Sequence, residues 1–206
     1  MLSKLLFYLF YKKIIVMYKH TTTALTTILI LLSQFLAFTQ KTYNIDNGHS
    51  NIGFAIQWND YGFRTGEFKA FGGTIVTKNP KDFNQASANL KIMVGSIDVI
   101  VDHLGKKLLQ PEFLDSAKCP MITFDCSSLK KKKKNLYLAE GTLTAKCISQ
   151  PVVFLVEVLG TKEKYAALKV TGELDKSKFG ITGGGDRLGN KILITSYFEL
   201  KEKNQE

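Results

Sequence analysis

Apolar residues return at every second position in one segment after another of this chain, and that period limits the folds open to it. The clearest case lies between Pro111 and Val158. Ile122, Phe124 and Cys126 fall on one face; five lysines, Lys130 to Lys134, follow; the chain resumes as Leu136-Tyr137-Leu138 and Gly141-Thr142-Leu143-Thr144. After Pro151 it runs Val152 to Val158. Side chains alternate across a strand, so period two with one apolar face describes half-buried β-structure. Two such runs joined by a loop without apolar residues predict an antiparallel hairpin with Lys130 to Lys134 as its solvated, mobile tip.

Alternation extends in both directions. Ile52, Phe54, Ile56 and Trp58 alternate with more polar neighbours, and Asn59-Asp60-Tyr61-Gly62 is a turn signal. Gly66 to Thr77 reads as extended, with Gly72-Gly73 predicting a bulge or a sharp bend. Ala88, Leu90, Ile92 and Val94 share a face, as do Ala166, Leu168, Val170, Gly172 and Leu174; Ile192, Ile194, Ser196 and Phe198 form the last run. Only between Val101 and Gln110 does the step change to three and four, at Val101, Leu104 and Leu108, which predicts one short helix ended by Pro111. Phe179 to Gly189 is a glycine-rich loop. About eight strands with one helical insertion make an all-β domain, and closed barrel and β-sandwich both satisfy the pattern.

The first forty residues stand apart. No charged residue occurs from Thr21 to Gln40, Ile28 to Leu32 is uniformly apolar, Lys19 precedes it, and Ala37-Phe38-Thr39 supplies small residues before Gln40. This is the layout of a signal peptide over residues 1–39, with Met17-Tyr18-Lys19-His20 as an alternative true start and an uncleaved anchor as the competing reading. The folded domain is then residues 40–206. The formal charge of +10 does not indicate nucleic acid: four lysines lie in the first twenty residues, where there is no acid, five more are the single run at 130–134, and the balance without these is +1.

Catalytic constellations are absent from the pattern. His49 and Ser50 are strand neighbours that point to opposite faces, so they read as a polar latch at the start of a strand. Three histidines and three cysteines without Cys-x-x-Cys spacing predict no metal site, no cofactor and no enzyme. Gly183-Gly184-Gly185-Asp186-Arg187 lacks the Lys-Ser/Thr ending of a phosphate loop and reads as a connection or a lid. A hairpin folded about Lys132–Lys133 places Cys119 opposite Cys147, an expected disulfide if the register holds.

Several of these pieces, in order over about 160 residues, carry a resemblance. They are His49-Ser50 with Ile52 and Phe54, Gly66 with Phe68, Ser96-Ile97-Asp98, Phe113-Leu114-Asp115, Pro120 with Ile122, Thr123 and Phe124, Gly141 to Thr144 with Pro151-Val152, and Phe179-Gly180-Ile181. Together they resemble the polyisoprenoid-binding YceI-like proteins, secreted lipocalin-like barrels. The chain departs from that pattern at Val101 to Leu108, where many members carry Arg-Asp and a nearby His-Leu; Lys176 and Lys178 stand where a basic residue commonly precedes the Phe-Gly piece.

The resemblance implies an antiparallel up-and-down barrel and a periplasmic or secreted binding protein for an isoprenoid lipid or quinone. The alternative is an exported structural module with a filled interior. A sheet closed on itself turns the apolar faces inward. The expected pocket lining is therefore Phe54, Ile56, Phe68, Leu90, Ile92, Val94, Ile122, Phe124, Phe154, Val156, Leu168, Val170, Ile194 and Phe198. The loops Asn59–Gly62 and Phe179–Gly189 are expected beside its mouth. Lys130, Lys131, Lys132, Lys133 and Lys134 suggest attraction to an anionic membrane surface, and a homodimer is compatible with the sequence.

Overall fold

The computed structural model describes residues 40–203, apart from residues 60, 80 and 81 and the side chain of Asp102; the expected signal segment lies outside the described residues. Twelve strands are present: β1 Lys41–Ile45, β2 Asn51–Trp58, β3 Gly62–Phe68, β4 Phe71–Thr77, β5 Ser87–Met93, β6 Ile97–Val99, β7 Met121–Cys126, β8 Leu129–Lys133, β9 Leu136–Ala145, β10 Ile148–Lys162, β11 Tyr165–Asp175 and β12 Leu188–Glu202. Among the described residues one α-helix, α1, spans Asp102–Leu108, within the stretch where the sequence period changes.

Every pairing is antiparallel, and the twelve segments behave as eight long strands. β1 and β2 are one strand interrupted by a 3-10 turn at Asn47–His49, and both lie along β12, as Ile45↔Leu200 and Phe54↔Ile194 show. β3 with β4, β5 with β6, and β7 with β8 are likewise bent continuations. The order then runs from β1–β2 through β9, β10 and β11 to β12, and the β1–β12 pairing closes it. This is the up-and-down barrel. A ring of pairs removes the open edges that a sandwich would have had to protect.

Three local expectations are corrected. Gly72-Gly73 makes no bulge: the bend falls at Lys69-Ala70, and Gly73 pairs regularly with Leu90. Its lack of a side chain admits the neighbouring strand, since a Cβ there would sit 2.1 Å from the Asn89 carbonyl oxygen. The lysine run is not a loop tip. Lys130 to Lys133 belong to β8, paired with β9 as Lys130↔Leu138 and Lys131↔Tyr137, and the turn comes at Lys134-Asn135. Lys130 pairs with Glu140, and Lys131 with Asp82 at 2.7 Å. β8 has one partner strand, and a lysine row suits such an edge because it discourages further pairing. Third, Val94 leaves the strand alternation. It opens a 3-10 turn, Val94–Ser96, its amide donates to the Pro120 carbonyl at 2.9 Å, and its side chain is fully buried away from the interior wall.

The two ends of the barrel differ. At one, Tyr43, Phe83, Ala86, Tyr137 and Leu200 are all but inaccessible, and the Tyr43 and Phe83 rings lie 6.1 Å apart. The Tyr137 hydroxyl donates to Asp82 at 2.9 Å, giving a buried phenol its partner. This end is packed shut, and β8 with its lysines lies here. At the other end, α1 and the loops after β2 and β11 surround the strand termini.

Cys119 and Cys147 form a disulfide, with Cα atoms 5.5 Å apart. The third cysteine, Cys126, is free and buried, and burial pushes its thiol pKa up.

Phe154 lies across Gly172, where a Cβ would come within 2.4 Å of its ring, and its ring meets Phe124 edge-on at 5.1 Å. Gly172→Val should therefore lower stability by roughly 1–3 kcal/mol in a denaturant titration, through overpacking. Removing the disulfide with Cys119→Ser and Cys147→Ser frees a loop of 28 residues' separation. Chain entropy then predicts a loss of about 3.6 kcal/mol, read as a lower Tm for the double variant than for the oxidised protein.

Candidate functional site: an apolar cavity along the barrel axis

An eight-stranded barrel is just wide enough to be filled by side chains or to hold one small ligand. Here the interior keeps a cavity of about 760 Å³, well inside the range of roughly 300–1,000 Å³ common to ligand pockets. It reaches from Ile75, Leu129 and Ala139 toward the closed end to Trp58, Phe63, Ile100 and Arg187 at the open end. Phe63, Ile100 and Val101 are 56%, 88% and 38% exposed, which marks where the cavity meets solvent.

The wall is built by alternation. Of the fourteen residues expected to line it, thirteen do: Phe54, Ile56, Phe68, Leu90, Ile92, Ile122, Phe124, Phe154, Val156, Leu168, Val170, Ile194 and Phe198. Val94 is the exception, for the reason given above. Leu90, Val170, Phe54 and Ile194 are only half-buried although they face inward, because space rather than packing lies before them.

The rim was partly legible. At the first turn the rim is made by the flanking strand residues, Trp58 at the end of β2 and Phe63 in β3, rather than by residues of the loop Asn59–Gly62, while the stretch from β11 to the first residue of β12 contributes Phe179, Ile181, Gly184, Gly185, Arg187 and Leu188. Backbone geometry holds that stretch in place: Gly180 and Gly184 take left-handed conformations at φ 64° and 97°, and the Asn59 amide donates to the Arg187 carbonyl at 2.7 Å.

The helical insertion also proves to be a wall. Val101, Leu104, Lys107 and Leu108, then Phe113 and Leu114, line the cavity. The period-of-four spacing signalled the helix, but nothing local signals which surface it covers. The insertion is tied to the glycine-rich loop by Thr182 and Gly183 amides donating to the Glu112 carbonyl at 3.0 and 2.8 Å. The Cys119–Cys147 bond anchors its end to the turn after β9.

Charge in the lining has one sign. Arg64, Lys107, Lys176 and Arg187 line the cavity, and among the described residues no carboxylate does. Arg64 lies over the Trp58 ring at 5.0 Å, a cation–π contact that orients it at the rim. Lys176 is 5% exposed. Its Nζ donates to the Ile181 and Gly183 carbonyls at 3.4 and 3.3 Å. The adjacent Asp175 carboxylate is engaged elsewhere: it accepts from the Ser177 hydroxyl at 2.7 Å and amide at 2.9 Å, which hold its pKa below the usual carboxylate value.

His49 and Ser50 form the latch expected of them, outside the cavity. Ser50 Oγ accepts from the Glu199 amide at 2.9 Å, tying the β1–β2 break to β12. His49 Nδ1 lies 2.9 Å from Asp46, which raises the imidazole pKa and lowers that of the carboxyl. Asp46, His49 and Glu199 bring potential ligand atoms within 4.8 Å of one another, but Asp46 also accepts from the Gly48 amide, and these bonds hold the turn. Among the described residues no helix is long and apolar enough to cross a membrane.

Comparison with known proteins agrees with this architecture. The YceI-like domain profile matches residues 43–200. The protein YceI of Salmonella newport (strain SL254) is 31% identical over 147 residues, covering 68% of this chain and 76% of its own. Among solved structures, Burkholderia cenocepacia BcnA superposes with a TM-score of 0.68 at 21% identity, covering 75% of this chain and 98% of that one. A polyisoprenoid binding domain from Saccharophagus degradans, implicated in plant cell wall breakdown, superposes with a TM-score of 0.62 at 12% identity, covering 78% and 98%. A closed eight-stranded barrel, an interior cavity and a domain match across most of its length make this chain a member of the YceI-like family.

Proposed function

We propose that this protein is an exported binding protein that holds a long apolar isoprenoid-type lipid, a polyprenyl chain or isoprenoid quinone, inside its barrel. The observation that carries the reading is the cavity: apolar along its length, packed shut at one end and open at the other. Each CH₂ buried in such a space contributes about 0.8 kcal/mol, and an extended chain needs no charged partner along it. The Saccharophagus degradans neighbour, described as polyisoprenoid-binding, supports the same class of ligand. A barrel filled by its own side chains would not leave about 760 Å³ open. The reading is binding rather than catalysis, with the lipid as ligand and no cofactor. The disulfide favours an oxidising compartment, periplasmic or extracellular, in keeping with the signal-like residues 1–39.

Native mass spectrometry of the gently extracted protein tests this. A bound lipid of isoprenoid mass is expected, and the same spectrum reads whether the particle is a homodimer. Leu90→Asp and Val170→Asp put a charge on the wall; at least one should keep the fold and lose the lipid. If the wild type never carries a lipid, or every wall variant unfolds as a buried unpaired charge would in a solid core, the binding reading fails.

The lysine strand makes a separate contact in this reading. Lys130 to Lys134 attract the closed end to an anionic membrane, each base near the surface contributing about 1 kcal/mol. Lys130 and Lys131 already face Glu140 and Asp82, so Lys132, Lys133 and Lys134 should dominate. Binding to phosphatidylserine vesicles should fall with each Lys→Ala change at these three positions and with added salt. Unchanged binding would leave the lysines a role in solubility and edge protection alone.

A further inference from the structure

We propose that the lipid held in this cavity carries an anionic, phosphate-like headgroup, and that Lys176 is the residue that selects it. The inference rests on the lipid-binding reading above and adds to it the chemistry of the polar end.

The first ground is the environment of Lys176. It opens the 3-10 turn Lys176–Phe179 directly after β11, at the open end of the barrel, and it lines the cavity while 5% exposed. Two backbone carbonyls, at 3.3 and 3.4 Å, accept from its ammonium group. Neither carries charge, and an ammonium group has three donors. A buried cation is costly to hold unless it is paired. The one carboxylate next to it in sequence, Asp175, is hydrogen-bonded in the Ser177 cap and acts on Lys176 only through charge, the smallest of the influences on that carboxylate, without a hydrogen bond. The place left for a hydrogen-bonded counter-charge is the cavity itself.

The second ground is the rest of the charged lining. Arg64, Lys107 and Arg187 come from β3, α1 and the loop before β12, three separate elements that converge on one mouth. All three are exposed, so they can meet a group entering from solvent. Arg64 is held over Trp58, and guanidinium groups recognise phosphate through paired N–H donors. A neutral hydroxyl or quinone oxygen needs one donor and gives no reason for four cations without a described carboxylate. A phosphate monoester carries about −1.5 to −2 charges and several strong acceptor oxygens, which this arrangement suits.

The third ground is placement. The deep end is apolar and closed, so an amphiphile can enter only tail first, and its polar end then stops at the mouth.

The sequence contains one tryptophan, Trp58, and it lines the cavity at the rim, so its fluorescence reports ligand entry. Delipidated protein is titrated with geranylgeranyl phosphate, geranylgeraniol and inorganic phosphate. The phosphate ester should bind at least about ten-fold more tightly than the alcohol, the worth of one charge-assisted bond. Lys176→Met should weaken the ester far more than the alcohol and so remove most of that difference. If Lys176→Met does not fold, Arg64→Gln with Arg187→Gln must weaken the ester and spare the alcohol. Equal binding of ester and alcohol, or an equal loss of both in the variants, overturns the headgroup inference and leaves lipid binding intact. Displacement of the ester by millimolar inorganic phosphate would make this a free-anion site and overturn it too. If neither lipid binds while the purified protein also carries none, the inference falls together with the lipid-binding reading.

Discussion

Closure of the barrel along β12 is the constraint on which the other features depend. This strand of fifteen residues pairs with β11 over most of its length on one side, and on the other it pairs first with β2 and then with β1. The 3-10 turn at Asn47–His49 is what lets one neighbouring strand bend and still follow it. Ser50 and Asp46 satisfy the amides freed by that break, so the polar latch serves closure rather than chemistry. Without the β1–β12 pairing the sheet would have two long edges, and its apolar face would need a second sheet to cover it. With it, the inward faces of eight strands meet around one axis.

A closed ring of this size can still be solid, and the cavity persists because bulk is distributed unevenly along the axis. Tyr43, Phe83 and Tyr137 occupy the closed end. In the middle, Phe124 and Phe154 stack edge-on against each other and lie over strand positions that carry no side chain, Gly172 among them, so the rings flatten against the wall. At the open end the helical insertion widens the enclosure instead of filling it. Its two ties, the backbone bonds to Glu112 and the disulfide to Cys147, hold a segment of few strand contacts over a space it does not fill.

The wall was legible in the sequence because strand alternation and barrel closure use the same rule: an inward residue must be two positions from the next. That logic holds for Phe54 and Ile56, for Leu90 and Ile92, and for Leu168 and Val170, and it ends where the strand ends, which is why Val94 falls outside. The lysine run resembles a loop tip for a related reason. Consecutive like charges resemble a loop to any reading based on burial, yet an edge strand can be exposed on both faces and remain paired through its backbone. The Cys119–Cys147 pairing, in contrast, does not depend on where the lysines turn, because both half-cystines lie just beyond the paired β7–β9 segment, where Thr123 faces Thr144. The roles of α1 and Lys176 were not readable. A helix of seven residues carries no address for the surface it covers, and a lysine before a Phe-Gly pair looks the same in sequence whether its ammonium group reaches water or a cavity.

The formal charge of +10 takes on a different meaning once the ends are distinguished. The lysines of β8 lie at the closed end, and the four cations of the lining lie at the mouth. Surface lysines act over about one Debye length, roughly 8 Å at physiological salt, and do not discriminate among anions. Lys176 acts in a less polar setting, where screening is weaker and the absence of a partner costs more. The two populations therefore separate in experiment: added salt should erode the contribution of β8 while sparing that of Lys176. An apolar tube supplies affinity for any chain that fits, in proportion to the surface it buries. Discrimination among such chains has to come from polar groups, and in this fold the charged ones of the lining lie at the mouth.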